Sequence, residues 1–294
     1  MPSALTTILN AQRAWAAEHA VGFDRGCTHT LDDNLYRPLH AETRKEFEAG
    51  SGDETGKAEA GKKRAKMLSL RSSSVLVANV FDYWRGRDLA PLAHALGAEG
   101  DYTDIRFEQP FHHGLSTGKP HLDVVLYASG KRRPFAIESK FAEPYSVKTG
   151  TTTAPIAAKY FVHGKKRWTD VGLPRCQELA EALGHTTTFH HLDAVQLVKH
   201  VLGLANDPAG HAGPKRAVTL LYLWFDTECT EAKNHRAEIE TFKGLLDLHL
   251  DFRSMPYQDL FGRLAVTADP AYVGYLRQRY FPPVPVAQGV APTT

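Results

Sequence analysis

The sequence predicts an α/β protein whose mixed β-sheet is flanked by helices. Two apolar-rich runs, 121–127 and 134–141, flank a polar turn, as in a β-hairpin. Residues 217–225 form a near-continuous apolar run, which is typical of a strand covered on both faces. Helical patterns precede the hairpin at 75–85 and separate it from that strand at 190–204.

The N-terminal part of the chain shows helical patterns separated by irregular segments. Apolar residues recur at near-helical spacing over 4–20, and 38–50 has the proline start and glycine stop of a short helix. Residues 50–66 are polar and rich in glycine, which indicates a surface loop. We therefore expect residues 1–70 to form a helical extension packed on the core domain.

The core domain is expected to span residues 71–280 and to begin with the helix at 75–85. The serines at 72–74 can cap this helix. Residues 103–111 then alternate apolar and polar side chains, the pattern of a half-buried strand, and Glu108 falls near its end. The order helix, strand, hairpin, helix, strand predicts a mixed sheet with helices on its faces.

The segments after the hairpin complete the predicted fold. Residues 142–172 are loop-like and basic. The other predicted elements are a short helix at 174–183, a longer helix at 190–204, the strand at 217–225, a helix at 231–250, helices that start at Pro256 and at Asp269-Pro270, and a disordered tail at 281–294.

The composition favours a folded protein of a reducing compartment. A hydrophobic content of 43% is enough for a sizeable core, and the formal net charge of +2 gives no general argument for nucleic acid. The three cysteines are widely spaced, which argues against a disulfide framework. Neither a secretory signal nor a run of about 20 apolar residues is found, so we expect a cytoplasmic protein without a membrane segment.

The hairpin carries three charged residues on strands that are otherwise apolar. Asp123 lies in the first strand, and Glu138 and Lys140 lie in the second. Strand side chains alternate between faces, so Glu138 and Lys140 must share one face. An unpaired buried charge costs several kcal/mol or shifts its pKa until it neutralises. A site that holds a divalent cation would remove this conflict.

With these three residues on adjacent strands, the sequence resembles the PD-(D/E)xK nuclease superfamily, which includes restriction endonucleases and several repair nucleases. Within it, the chain is similar to a group of bacterial restriction endonuclease-like proteins of mostly unassigned role. The resemblance covers residues 70–265 and rests on SSSVLVANVF at 72–81, RFEQPF at 106–111, HLDVVL at 121–126, IESKFAEPY at 137–145 and QLVKHVLGL at 196–204. It implies a restriction endonuclease-like αβββαβ core within residues 71–280.

The resemblance also implies a role for each residue of the hairpin. The family's metal-binding aspartate falls on Asp123, its second acid on Glu138 and its lysine on Lys140. The main-chain carbonyl of Ser139 is a further expected ligand, and this oxygen set suits Mg²⁺, for which Mn²⁺ is expected to substitute. The proline of the family's name is displaced, since Pro120 lies three residues before Asp123. The implied activity is hydrolysis of phosphodiester bonds by a DNA endonuclease of a restriction, defence or repair type.

A further acid is expected to support the site. The superfamily often carries one on or near its first core helix, but the helix at 75–85 offers only Asp82 and Asn79. We prefer Glu108 as this auxiliary acid, with Glu54 as a weaker candidate.

Nucleic-acid contacts are expected from the later helix and from a basic run. On the helix at 190–204, Gln196 and Lys199 share a face; we expect Gln196 to position a reacting group and Lys199 to contact phosphate. Three basic runs occur, Lys62-Lys63-Arg64, Lys131-Arg132-Arg133 and Lys165-Lys166-Arg167. The third is the preferred backbone contact, because three aromatic residues are interleaved with it over 160–168.

Other interpretations of the same residues remain open. An acid-x-Lys pair on a strand is often an exposed charge pair of little energetic worth, and Gln196 and Lys199 could belong to a solvated helix face. Two functions compete with a DNA endonuclease: a non-catalytic nucleic-acid-binding module that keeps the nuclease fold, and a nuclease acting on RNA or single strands. A homodimer would allow two cuts across a duplex. The histidines lack the spacing of a zinc site, and no phosphate-binding glycine loop is present.

Overall fold

The fold is described from a computed structural model of the chain. The residues that the structure describes are 2–50, 53–56, 64–116, 118–129, 134–146, 155–185, 189–207 and 218–281. Four sequence expectations lie wholly or mainly outside these ranges: the tail from residue 282, the basic runs at 62–63 and 131–133, and much of the loop at 50–66.

The centre of the protein is a five-stranded mixed β-sheet. The described strands are β1 (Phe23–Asp24), β2 (Cys27–Thr28), β3 (Tyr102–Pro110), β4 (His121–Ala128), β5 (Phe135–Lys140), β6 (Thr219–Trp224) and β7 (Asp251–Pro256). β1 and β2 form a separate small hairpin, and the other five lie in the order β3-β4-β5-β6-β7. β3, β4 and β5 pair antiparallel, whereas β5, β6 and β7 pair parallel. The direction of pairing therefore changes at β5.

Helices surround the sheet, and α3 and α7 are among those that begin at side-chain caps. The described α-helices are α1 (Ala4–Glu18), α2 (Ala41–Ala49), α3 (Ser73–Phe81), α4 (Ala90–Leu96), α5 (Arg167–Asp170), α6 (Pro174–Leu183), α7 (Ala194–Asn206), α8 (Thr230–Leu245), α9 (Tyr257–Thr267) and α10 (Pro270–Tyr280). The Ser72 hydroxyl accepts a hydrogen bond from the N–H of Val75 at 3.3 Å, which fixes the start of α3. The Asp193 carboxylate accepts one from the N–H of Gln196 at 2.8 Å and starts α7.

The helices cover both faces of the sheet, so the core has three layers. Val124, Leu126 and Ile137 face one side, where α1, α2, α3, α4, α9 and α10 pack. Val125 and Ala136 face the other side, where α5, α6, α7 and the later part of α8 pack. This alternation follows from the period-two geometry of strands. None of the described helices has the length and apolar character needed to cross a membrane.

The predicted fold class is confirmed, and the series α3, β3, β4, β5, α7, β6 matches the expected αβββαβ order. The sequence patterns do not predict α4 or β7. Among the described strands, β7 pairs only with β6, and its Arg253 forms a partly exposed ion pair with Asp251 at 2.7 Å. These polar residues interrupt the apolar pattern that would have indicated a strand. The helix expected over 231–250 ends at Leu245, because the residues after it lead into β7.

A buried hydrogen bond joins β5 to α9. The hydroxyl oxygens of Ser139 and Tyr257 lie 2.6 Å apart, and both residues are almost fully buried. Removing one partner leaves the other unsatisfied, which costs about 1–3 kcal/mol. We therefore expect Tyr257→Phe to lower the free energy of unfolding by about that amount, as measured by urea titration.

Tyr127→Phe is a matched control, because the Tyr127 hydroxyl has no hydrogen-bond partner among the described residues. Its free energy of unfolding should change by less than about 0.5 kcal/mol. Equal losses in the two variants would show that the hydrogen bond to Ser139 is not the source of the effect.

Candidate active site

Asp123, Glu138 and Lys140 meet on one face of the sheet. Val124 pairs with Ile137 across β4 and β5, and the next residues outward along the two strands are Asp123 and Glu138. Glu138 and Lys140 share a face of β5, as strand periodicity requires, and Nζ of Lys140 lies 2.5 Å from Oε1 of Glu138. The two acids and the ammonium group thus form one cluster at the end of the hairpin away from its turn.

Ser139 joins the two strands through its main chain. Its N–H donates to Oδ2 of Asp123 at 2.6 Å. The carbonyl of Lys140 accepts a hydrogen bond from the N–H of Phe225, on the β6 side. Because the peptide groups of consecutive strand residues point to opposite sides, the carbonyl of Ser139 is directed toward β4. Both main-chain groups of Ser139 are therefore turned toward the strand that carries Asp123.

The cluster opens into a cavity of about 380 Å³. Six of the residues singled out from the sequence line this cavity: Glu54, Glu108, Asp123, Lys140, Gln196 and Lys199. Glu138 lies just beneath its surface and is only 1% exposed. The structure thus brings residues of β3, β4, β5 and α7 together at one place.

Two basic side chains hold the carboxylate of Glu138 in its ionised form. Nζ of Lys140 is 2.5 Å from Oε1, and Nε2 of His200 is 3.1 Å from Oε2. Burial opposes ionisation, but these neighbours outweigh it and lower the pKa of Glu138 to about 2. Burial also opposes the charge of Lys140, and the Glu138 and Asp123 carboxylates outweigh it and raise the pKa of Lys140. Glu138 and Lys140 are therefore both ionised at neutral pH.

For Asp123 the compensation is incomplete. Burial raises the pKa of Asp123 well above its usual value, and the adjacent Glu138 carboxylate adds to the effect. Lys140 and the N–H of Ser139 oppose this rise without cancelling it. The carboxylates around the cavity therefore repel one another, and a divalent cation bound between them would relieve the repulsion.

The donor set suits a hard cation that keeps part of its water shell. Among the described residues, no group of three or more His, Cys, Asp or Glu side chains is arranged to hold a metal. Asp123 and Glu138 would need the carbonyl of Ser139 and water molecules as further ligands. Mg²⁺ accepts such a set, because it usually binds one or two carboxylates and retains several waters.

Glu108 combines backbone strain with a perturbed carboxyl group. It lies between Phe107 and Gln109, which pair with β4 residues on either side of Asp123. Its φ of +48° is in the left-handed region, which costs a residue other than glycine about 1–2 kcal/mol. Burial raises the pKa of Glu108 to about 7, with repulsion from Glu54 and Glu138 adding to the effect. Strain and a near-neutral pKa are typical of functional positions.

Glu54 reaches the cavity from the segment before α3. Its Oε2 accepts a hydrogen bond from the Ser74 hydroxyl at 2.6 Å, and Nζ of Lys66 donates to Oε1 at 3.3 Å. Ser74 lies in the first turn of α3, so this acid is anchored to the first core helix. Asp82 and Asn79 do not line the cavity; their side chains accept hydrogen bonds from main-chain N–H groups of the N-terminal segment.

His200 is a site residue to which the sequence patterns assign no role. It is 2% exposed and lies on α7 one turn after Gln196, with Nε2 3.1 Å from Oε2 of Glu138. Residues four apart on a helix share a face. The spacing of His200 from Gln196 is therefore the signal that could have indicated it.

The basic run that starts at Lys165 lies outside the lining of this cavity. Lys166 pairs with an acid of α6 at 2.5 Å, and Arg167 donates to main-chain carbonyls at 3.1 Å. Two of the three interleaved aromatic residues, Tyr160 and Trp168, are buried in the core. Both rings fill the apolar layer under α7, so they are not free to stack on a nucleic acid. Contact of Lys165, Lys166 and Arg167 with nucleic acid stays a prediction.

The raised pKa of Glu108 predicts a pH-dependent stability. A carboxyl group whose folded pKa of about 7 lies above its unfolded value binds its proton more tightly when folded, so stability falls as the pH rises from about 4.5 to about 7. In metal-free buffer, Glu108→Gln should be close to wild type at about pH 4 and more stable at about pH 8, by up to about 3 kcal/mol. Urea titrations across this range measure the difference, and a difference that is independent of pH would contradict the raised pKa.

The contact between His200 and Glu138 predicts a second stability effect. In His200→Leu, Glu138 keeps only Lys140 as a basic neighbour, so its buried carboxylate is less well compensated. We expect a loss of about 1–3 kcal/mol in the free energy of unfolding at neutral pH. His200→Gln, whose amide can donate toward Oε2, should lose less. Equal stability of wild type and His200→Leu would show that the ring does not support Glu138.

Comparisons with known proteins agree with this architecture. Neither the curated proteins nor the solved structures contain a match to the chain. A family model described as Restriction Endonuclease associating with ARP matches residues 10–281, which include the whole sheet and every residue of the cavity. The mixed sheet with flanking helices is consistent with a restriction endonuclease-like fold. The chain therefore belongs to the family described as Restriction Endonuclease associating with ARP.

Proposed function

We propose that the protein is a metal-dependent nuclease that hydrolyses phosphodiester bonds of DNA. The observation that carries this proposal is the cluster of Asp123, Glu138 and Lys140 beside a cavity, in a chain of a restriction endonuclease family. Two carboxylates and an ammonium group on adjacent strands resemble the PD-(D/E)xK arrangement, which supports the proposal. Membership of a restriction endonuclease family favours DNA as substrate and cleavage within a strand.

Asp123, Glu138 and the carbonyl of Ser139 are the groups that would hold the metal. All three donate oxygen, which Mg²⁺ and Mn²⁺ favour. When bound, Mg²⁺ would make a water molecule more acidic and neutralise charge on the phosphate group. The raised pKa of Asp123 supports this assignment, because it reflects a repulsion between carboxylates that a cation relieves.

Lys140 is assigned to the phosphate side of the reaction. Its raised pKa keeps it protonated, so it can donate a hydrogen bond to a phosphate oxygen and stabilise the negative charge that develops there. Gln196 lines the same cavity and carries both a donor and an acceptor, which suits it to orient a water molecule or a phosphate oxygen. Glu108 is the auxiliary acid, and its pKa of about 7 allows it to exchange a proton near neutral pH.

Substitution of each cluster residue tests this proposal. Asp123→Asn, Glu138→Gln and Lys140→Met should each reduce Mg²⁺-dependent cleavage by at least about a hundredfold, because each removes a charge that the reaction needs. Conversion of supercoiled plasmid to nicked and linear forms measures the rate. Lys243→Met, at an exposed lysine of α8, is the control and should cleave at the wild-type rate. Unchanged cleavage in all three cluster variants would refute the assigned site.

Metal binding separates the nuclease from its main alternative, a non-catalytic nucleic-acid-binding module. Calorimetric titration with Mn²⁺ should detect binding to the wild-type chain that is lost in Asp123→Asn. DNA binding without Mn²⁺ binding or cleavage would favour the non-catalytic module. Preferential cleavage of RNA or of single-stranded DNA would reassign the substrate instead.

A further inference from the structure

Three lysines from separate segments meet at one side of the cavity. Lys119 precedes β4, Lys159 lies in the short helical turn at 158–160, and Lys199 lies on α7. Lys119 and Lys199 line the cavity. Nζ of Lys159 is 3.3 Å from the position that a Cβ on Gly118 would occupy, directly beside Lys119. We call Lys119, Lys159 and Lys199 the lysine rim.

The lysine rim forms no ion pair with the acids of the described part of the chain. None of its three ammonium groups has a carboxylate within ion-pair distance there, whereas Lys66, Lys140 and Lys166 each have one. Burial lowers the pKa of Lys199; Asp193 opposes this shift, and repulsion from Lys159 adds to it. An anion bound at the lysine rim would remove this repulsion.

The segment that carries Gly118 and Lys119 is held in place by local hydrogen bonds. The buried ring of His113 contacts the carbonyl of Gly118 at 2.6 Å and accepts from the N–H of Leu115 at 3.2 Å. Arg167 donates to the carbonyl of Gly114 at 3.1 Å. The main chain next to Lys119 is therefore held in place at Gly118, which lowers the entropic cost of binding there.

The lysine rim is also continuous with the candidate active site. Lys199 lies next to His200, whose ring contacts Glu138, and three residues after Gln196, which lines the same cavity. A strand of nucleic acid whose scissile phosphate lies beside the acids would have its neighbouring phosphates within reach of this side of the cavity.

We propose that Lys119, Lys159 and Lys199 bind the phosphate groups that flank the cleaved bond, as sequence-independent contacts to the nucleic-acid backbone. This inference rests on the proposed function, since it assigns the position of the substrate strand at the same site. Phosphate contacts position a nucleic acid without reading its bases. It also predicts that the run at 165–167 contributes less to binding than the lysine rim does.

The salt dependence of binding tests the lysine rim without requiring cleavage. Fluorescence anisotropy of a short labelled duplex, and of the matching single strand, is measured with the full chain in EDTA over a range of salt concentrations. Each lost phosphate contact reduces the slope of log K against log salt by about 0.9 for a duplex and about 0.7 for a single strand. Lys119→Ala, Lys159→Ala and Lys199→Ala should each show such a reduction. Lys243→Ala is the control and should retain the wild-type slope.

Three results would overturn the proposal: slopes unchanged in all three variants, a reduced slope only in Lys165→Ala or Lys166→Ala, or no binding by the wild-type chain. Lys159 is exposed, so its variant reports on binding even where Lys199→Ala affects folding. Failure of the proposed function is distinguishable, because it appears in the plasmid assay. Reduced slopes in a chain that does not cleave would place the lysine rim in a non-catalytic nucleic-acid-binding module.

Discussion

The buried ion pair between Glu138 and Lys140 is the interaction on which the site depends. Glu138 is 1% exposed, and removing a carboxylate from water costs several kcal/mol. Lys140 and His200 offset that cost, but well-packed apolar residues often stabilise a fold as well as a buried ion pair does, or better. Stability alone therefore gives no reason for these charges on an otherwise apolar strand. The chemistry proposed for the cavity would give one, since both groups are held ionised at neutral pH.

The sheet topology explains why the charged strand and α7 meet. Pairing changes from antiparallel to parallel at β5, so the chain must cross over the sheet before it can return as β6. α7 lies within that crossover and packs on the face that carries Glu138 and Lys140. The side chains that α7 turns toward the strand, Gln196, Lys199 and His200, therefore reach the cavity as a consequence of the strand order.

Local patterns predict much of the fold and the centre of the site. Strand periodicity alone places Glu138 and Lys140 on one face, and an uninterrupted apolar run identifies β6. The sequence does not indicate β7, because this strand lies at the edge of the described sheet and carries a partly exposed ion pair in place of apolar residues. Predicting His200 as a site residue requires knowing which face of α7 is buried against β5. The packing of the whole domain decides that, and a local pattern does not show it. Glu54 is only the weaker candidate in the sequence, because its position at the cavity depends on a hydrogen bond to Ser74. That bond joins two segments that no local sequence pattern connects.

The formal net charge of +2 does not describe the charges that a nucleic acid would meet at the cavity. Its lining includes the carboxylates of Glu54, Glu108 and Asp123 together with Lys119 and Lys199 of the lysine rim, which form no ion pair among the described residues. At physiological salt, exposed charges more than about 8 Å apart are largely screened, so the local arrangement decides the interaction with an approaching strand. Acids that can hold a cation repel a phosphate chain, whereas lysines beside them attract it. A nearly balanced composition is therefore compatible with a polyanionic substrate, provided that charges of opposite sign are segregated around the site.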